Sequence, residues 1–142
     1  MKQWKIASFN VNSVRARLDT LLPWLITEQP DVLCLQETKV QDADFPVEAF
    51  SQAGFFTVYH GQKARNGVAI ISKEPPTDVK TGLDEWGAPD EARLIAARFG
   101  NIAVVNTYVP QGQDPAVEYF QYKLAWLRHM KDYFSRHYTP EE

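Results

Sequence analysis

The chain has 142 residues, 44% of them hydrophobic, a formal net charge of −3 and one cysteine. That length suits one domain with its own core, and the charge excludes reading a nucleic-acid partner from global basicity, so any such surface must be local. No run approaches the roughly 18 apolar residues that span a bilayer and MKQWKIASFN is no secretion signal, so a cytoplasmic protein without a membrane partner is expected.

Trp4–Asn10 alternates as a strand does, and Val14, Leu18, Leu21, Leu22 and Leu25 then recur at helical spacing. Asn12 or Ser13 can cap this helix, Pro23 is expected to kink or split it, and Gln29-Pro30 stops it. Asp31–Gln36 is apolar on both faces, as a central strand is, and the first forty residues read as a strand–helix–strand unit with parallel strands. Cys34 lies in that run with no partner for a disulfide or a Cys-based zinc site, and reads as a small buried hydrophobe.

A short helix is predicted near Pro46–Ala53, followed by a hairpin of Phe56–His60 and Gly67–Ser72 around GQKARN. EPPTDVKTGLDEWGAPDE reads as surface loop. Leu94–Phe99 and Ile102–Tyr108 form a second hairpin across Gly100-Asn101, with glycine at the position that takes positive φ. The last element is a helix from about Pro115 to Tyr138, with Val117, Phe120, Leu124, Leu127 and Phe134 on its apolar stripe. The pattern is α/β with mixed parallel and antiparallel pairing, which by itself says nothing of function.

Polar residues end three of these strands: Asn10 and Asn12 after the first, Gln36-Glu37-Thr38-Lys39 after the second, and Asn106-Thr107-Tyr108 running to Gln111 after the last. Strand ends are where open α/β sheets build sites, so if these strands are neighbours the residues share one mouth. Glu37 with an asparagine amide suits Mg²⁺ completed by water and substrate phosphate. Spacing alone leaves Glu37 equally readable as a surface carboxylate paired with Lys39, and Asn10 and Asn12 as turn and cap residues. No P-loop, dinucleotide fingerprint, H-E-x-x-H or G-x-S-x-G occurs. His60, His129 and His137 stand apart from these motifs.

SFNVNSVRAR, QPDVLCLQETKV, YHGQKARNGVAIISK, EARLIAARF and VVNTYVPQG, in this order, resemble the N-terminal half of exonuclease III, the bacterial apurinic/apyrimidinic endonuclease type within the exonuclease–endonuclease–phosphatase superfamily. The resemblance covers nearly the whole chain, so residues 1–142 are expected to be the N-terminal portion of a single domain. It implies half of a four-layer α/β sandwich, two mixed sheets face to face with helices outside, each half supplying much of one sheet. It implies Mg²⁺, with Mn²⁺ as an alternative, on Glu37 and Asn10, and catalytic roles for Tyr108, Asn10 and Asn12. Lys39, Arg93, Asn106 and Gln111 then flank the substrate, and the basic residues Arg15, Lys63 and Arg65 fit a polyanion groove. The implied activity is cleavage of double-stranded DNA 5′ to abasic sites, with action on 3′ ends as exonuclease and phosphatase.

The family's second half carries G-D-x-N and S-D-H motifs, and neither is present here. The chain alone is therefore expected to be poorly active, to expose an apolar sheet face and open edges, and to pair with a complementary C-terminal fragment or with itself. The competing expectation is a short non-catalytic DNA-binding or interaction module derived from the fold. A phosphatase acting on a small molecule or lipid is third.

Overall fold

The computed structural model describes residues 1–84, 86, 91–112 and 118–141. The first unit forms as the pattern predicts: β1 (Ile6–Asn10), α1 (Val14–Glu28) and β2 (Val32–Gln36), with β1 and β2 parallel and Asn10 level with Gln36. The Ser13 side chain caps α1 by accepting from the Ala16 amide, and Gln29 closes it in the left-handed region at φ 47°. Pro23 does not split α1, which runs unbroken through it. The apolar face of that helix, with Val14, Leu21 and Leu25 buried, holds it against the sheet and outweighs the lost backbone bond.

After a 3₁₀ turn at Asp42–Asp44, α2 (Val47–Gln52) leads to the hairpin of β3 (Phe56–His60) and β4 (Val68–Ser72). β4 then pairs antiparallel with β2, so the first sheet runs β1-β2-β4-β3. The second sheet runs β5-β6-β7, from Thr77–Thr81, Leu94–Phe99 and Ile102–Thr107. Its predicted tight turn is present, with Phe99 opposite Ile102 and Gly100 at φ 62°. β5 falls in the stretch read as loop. It is exposed along its whole length, so it has no buried face to impose alternation, and backbone pairing with β6 is what makes it a strand.

Alternation within the strands assembles the layers. Leu33, Leu35, Ala69 and Ile71 face α1 and α2, while Val32, Cys34, Val68 and Ile70 meet Ile95, Ala97, Phe99 and Val104 of the second sheet. Leu94 and Val105 turn outward against α3 (Glu118–His137). The order is helices, sheet, sheet, helix, the four-layer sandwich expected.

Two expectations need correction. The chain does not supply mainly one sheet: its described residues give four strands to one and three to the other, so the inner faces cover each other and, among the described residues, no whole apolar face is bare. What remains open among the described residues is edge, above all β1, where Ile6 and Phe9 are 50% and 45% exposed. The α3 stripe also differs. Trp126 and Tyr133 are its buried residues, with Tyr122, Leu127 and Met130 beside them, whereas Phe134 is exposed. Large aromatics with polar tips bury most of their area and so displaced the aliphatic spacing. The predicted start of that helix, residues 115–117, lies outside the described residues.

Candidate active site

The three polar strand ends do meet, but not side by side in one sheet. β1 and β2 are neighbours, whereas β7 reaches them across the sandwich, where the Asn106 amide nitrogen donates to the Leu35 and Ala69 carbonyls, both at 2.8 Å. Gln36 completes the tie, donating to Asn106 Oδ1 at 2.8 Å and to Ser8 Oγ at 3.0 Å. A buried amide with all these bonds made locks the sheets in register.

The loop leaving β2 is shaped against the intrinsic preference of its residues. Glu37 and Lys39 take φ 56° and 55°, a left-handed conformation costing roughly 1 kcal/mol or more per non-glycine residue. The surroundings enforce it. The Ser13 and Val14 amides donate to the Glu37 and Thr38 carbonyls at 2.8 and 3.0 Å, and the Thr38 and Lys39 amides donate to the Gly67 and Asn66 carbonyls at 3.2 and 2.9 Å. Gly67, at φ 96°, must be glycine: a Cβ there would lie 2.0 Å from Thr38 Oγ1. The start of α1 and the β3–β4 loop thus aim Glu37 from both sides.

At the mouth, the Tyr108 hydroxyl donates to Glu37 Oε1 at 2.6 Å. Lys39 Nζ lies 3.7 Å from Glu37 Oε2 and donates to Asn12 Oδ1 at 2.5 Å. Asn10 Oδ1 accepts from the Asn12 amide at 3.2 Å. Hydrogen bonds from Tyr108 first and Asn10 next hold the Glu37 carboxyl below its ordinary range, against partial desolvation and with a smaller push from Lys39. Desolvation first, then the Glu37 carboxylate, pushes the Tyr108 phenol up to about 12, so it remains a donor at neutral pH. The result is an ionised carboxylate surrounded mainly by neutral donors.

Among the described residues no three His, Cys, Asp or Glu side chains gather to hold a metal. The donor set is one carboxylate beside two asparagine amides. It fits an oxygen-seeking, largely hydrated cation such as Mg²⁺ and not a zinc cage.

The family model described as Endonuclease/Exonuclease/phosphatase family matches residues 7–138. The chain belongs to that family. Within this endonuclease/exonuclease/phosphatase family it is 39% identical over 118 residues to exodeoxyribonuclease III of Haemophilus influenzae, covering 80% of this chain and 44% of the relative. An exodeoxyribonuclease of Bacillus subtilis is 31% identical over 131 residues, covering 91% and 51%. Among solved structures, an AP endonuclease from Archaeoglobus fulgidus superposes with TM-score 0.92 at 47% identity, over 96% of this chain and 53% of that one. A 3′ phosphatase from Neisseria bound to a product DNA hairpin gives TM-score 0.88 at 36% identity, over 92% and 51%. The chain therefore spans about half the length of the family relatives it matches.

The predicted flanking residues divide. Lys39 stands at the mouth and Gln111 is exposed beyond β7, while Arg15 on α1 and Lys63 and Arg65 in the β3–β4 loop are exposed. Asn106 is only 2% exposed and its amide is spent between the sheets, so it does not face substrate. Arg93 is 12% exposed and built into the frame of Tyr108: its Nη1 donates to the Tyr108 carbonyl at 3.2 Å and its guanidinium lies 5.0 Å from that ring's centre. Gln36, which the sequence marks only as one of the polar residues ending β2, is the tie to Asn106, and neither Glu91 nor Tyr122 is assigned a role by sequence. Glu91 had a usable signal, two residues before Arg93 and on the same side of an extended chain, but nothing near Tyr122 in sequence marks its role. Cys34 is buried, and burial pushes its thiol up to about 11, which agrees with a core role and not a nucleophile.

Proposed function

We propose that this chain is the N-terminal portion of a Mg²⁺-dependent DNA repair nuclease of the exonuclease III type, acting on double-stranded DNA 5′ to abasic sites and at 3′ ends, in the cytoplasm. The observation that carries this reading is the Tyr108 phenol donating 2.6 Å into a Glu37 carboxylate that neutral donors keep ionised, at a mouth formed by three strand ends. Glu37 and Asn10 would hold the ion, Mg²⁺ or Mn²⁺, which when bound offsets charge on a phosphoryl oxygen and favours attack by water. Tyr108 donates toward a phosphate oxygen or the Glu37 carboxylate, and Asn10 and Asn12 orient the same group. Lys39 adds positive charge beside it. Arg15, Lys63, Arg65 and Gln111 would receive the flanking backbone, a sequence-independent and salt-sensitive contribution. The Neisseria relative's DNA hairpin supports a nucleic-acid ligand.

The same reading makes the isolated chain a weak catalyst. Among the described residues no three His, Cys, Asp or Glu side chains gather, and the G-D-x-N and S-D-H motifs do not occur in the sequence, so the base for the attacking water would come from the complementary half. The open β1 edge, with Phe9 and Trp24 beside a cavity of about 320 Å³ that Ala7, Leu21 and Leu33 also line, would be covered by a complementary C-terminal half. Without one, the chain pairs with itself or acts only as a DNA-binding module.

The test is an abasic-site duplex incubated with the chain alone and with a C-terminal half taken from the Archaeoglobus fulgidus relative, each with Mg²⁺ or EDTA. Binding without nicking is expected for the chain alone, and Mg²⁺-dependent nicking for the mixture, abolished by Glu37→Gln. Nicking that survives EDTA or Glu37→Gln would overturn the proposal. Solution scattering of the chain alone checks the edge: a monodisperse monomer would count against pairing.

A further inference from the structure

Tyr108 is held from behind as carefully as it is aimed in front. Its amide donates to the Arg93 carbonyl at 2.8 Å, and Arg93 Nη1 returns a bond to the Tyr108 carbonyl at 3.2 Å. The same guanidinium lies over the phenol ring, 5.0 Å from its centre. A planar cation can serve a carbonyl and a ring face together only if its own rotation is fixed. Glu91 fixes it, its Oε1 accepting from Arg93 Nε at 3.0 Å. The other carboxylate oxygen, Oε2, accepts from the Tyr122 hydroxyl on α3. Both members of the ion pair are largely out of solvent, with side chains 12% and 16% exposed, so screening is limited and the geometry is maintained.

We infer that Glu91, steadied by Tyr122, is a positioning residue for Tyr108, acting through Arg93 to hold the phenol on Glu37. The chain of contacts is continuous from the outer helix to the mouth: Tyr122, Glu91, Arg93, Tyr108, Glu37. Burial, followed by the neighbouring Glu91, pushes the Tyr122 phenol up to about 12, so it donates throughout the neutral range. Neither Glu91 nor Tyr122 reaches Glu37, and each acts only by limiting where Arg93 can be. The arrangement also gives α3 a function besides covering the second sheet, since its docking sets the orientation of a group on the far side of β6. The inference rests on the proposed function only for which reaction Tyr108 serves.

The experiment reads Tyr108 directly. The chain is prepared with ¹³Cζ-labelled tyrosine, the Tyr108 signal is assigned by its loss in Tyr108→Phe, and Glu91→Gln, Glu91→Asp and Tyr122→Phe are compared, each with Mn²⁺ titrated onto the site. Glu91→Gln is expected to shift or broaden the Tyr108 signal and to weaken Mn²⁺ binding about fivefold. Tyr122→Phe should do the same to a smaller degree, and Glu91→Asp should restore part of the shift. Where Glu91→Gln does not fold, Tyr122→Phe, which removes one hydroxyl, gives the reading instead. A Tyr108 signal unmoved in the folded variants would overturn the inference even if the protein cleaves DNA. Conversely, a moved signal supports it even if the chain cleaves nothing, so failure here and failure of the proposed nuclease are told apart.

Discussion

Glu37 and Asp84 are each ringed by donors, and they differ in what is left of their charge. Glu37 accepts from a neutral phenol at 2.6 Å while its nearest cation, Lys39, stands 3.7 Å away. Asp84, between β5 and β6, meets two groups from the end of α3, the Arg136 guanidinium with Nη2 at 2.6 Å and the His137 ring with Nε2 at 2.9 Å. Both carboxyls are held below their ordinary range, Glu37 chiefly by Tyr108 and Asp84 chiefly by Arg136. A guanidinium in contact spends a carboxylate, whereas a hydroxyl orients it and leaves its negative charge for a cation. Asp84 therefore reads as a tether for the helix end, and Glu37 as the group that can take a metal.

That contrast can be broken most severely at Glu37. Glu37→Gln should remove Mn²⁺ binding and lower Mg²⁺-dependent nicking by the completed enzyme about 10³-fold or more, measured by single-turnover cleavage. Tyr108→Phe should cost roughly 10²-fold in kcat with little change in KM. It should also return the Glu37 carboxyl toward its ordinary value. In the parent chain metal binding should persist as pH falls into the usual carboxylate range, and in Tyr108→Phe it should begin to fail at higher pH, as a Mn²⁺ titration series would show.

Asn106 sharpens the comparison from the side of stability. Asn106→Leu removes the ties to Leu35, Ala69 and Gln36 between the two sheets, so about 2 kcal/mol should be lost in urea unfolding. The smallest effect is expected at Asp84, whose side chain is 36% exposed. Asp84→Asn should change stability by ~0.5 kcal/mol or less, and less again in high salt. Because its folded-state pKa is depressed, its contribution is complete above the ordinary value of 3.8 and is lost as pH falls through the lower folded value. Acid unfolding curves of the parent and Asp84→Asn should therefore converge only at the acid end.

Much of the frame could be read from the sequence. Buried strands such as β2 and β4 are continuous apolar runs, and the Gly100-Asn101 turn carries its own conformational demand, so local pattern and final structure agree. β5 was not legible, because an exposed edge strand owes its existence to the partner's hydrogen bonds and not to its own side chains. The unbroken α1 is a similar case: packing of Leu21 and Leu25 decides what Pro23 alone would oppose.

The sequence by itself determined the family resemblance, the alternation that makes two sheets, and the candidate status of Glu37, Asn10, Asn12 and Tyr108, since chemistry-bearing residues at strand ends are marked by type and spacing. Only the tertiary structure decided that β7 meets β2 across the sandwich, that Asn106 is a staple, that Arg93 serves Tyr108, and that Glu91 and Tyr122 stand behind it. Those facts depend on contacts between residues as far apart as Leu35 and Asn106 or Glu91 and Tyr122. Such pairs form only when the layers close, and no local pattern along the chain records which of them will meet.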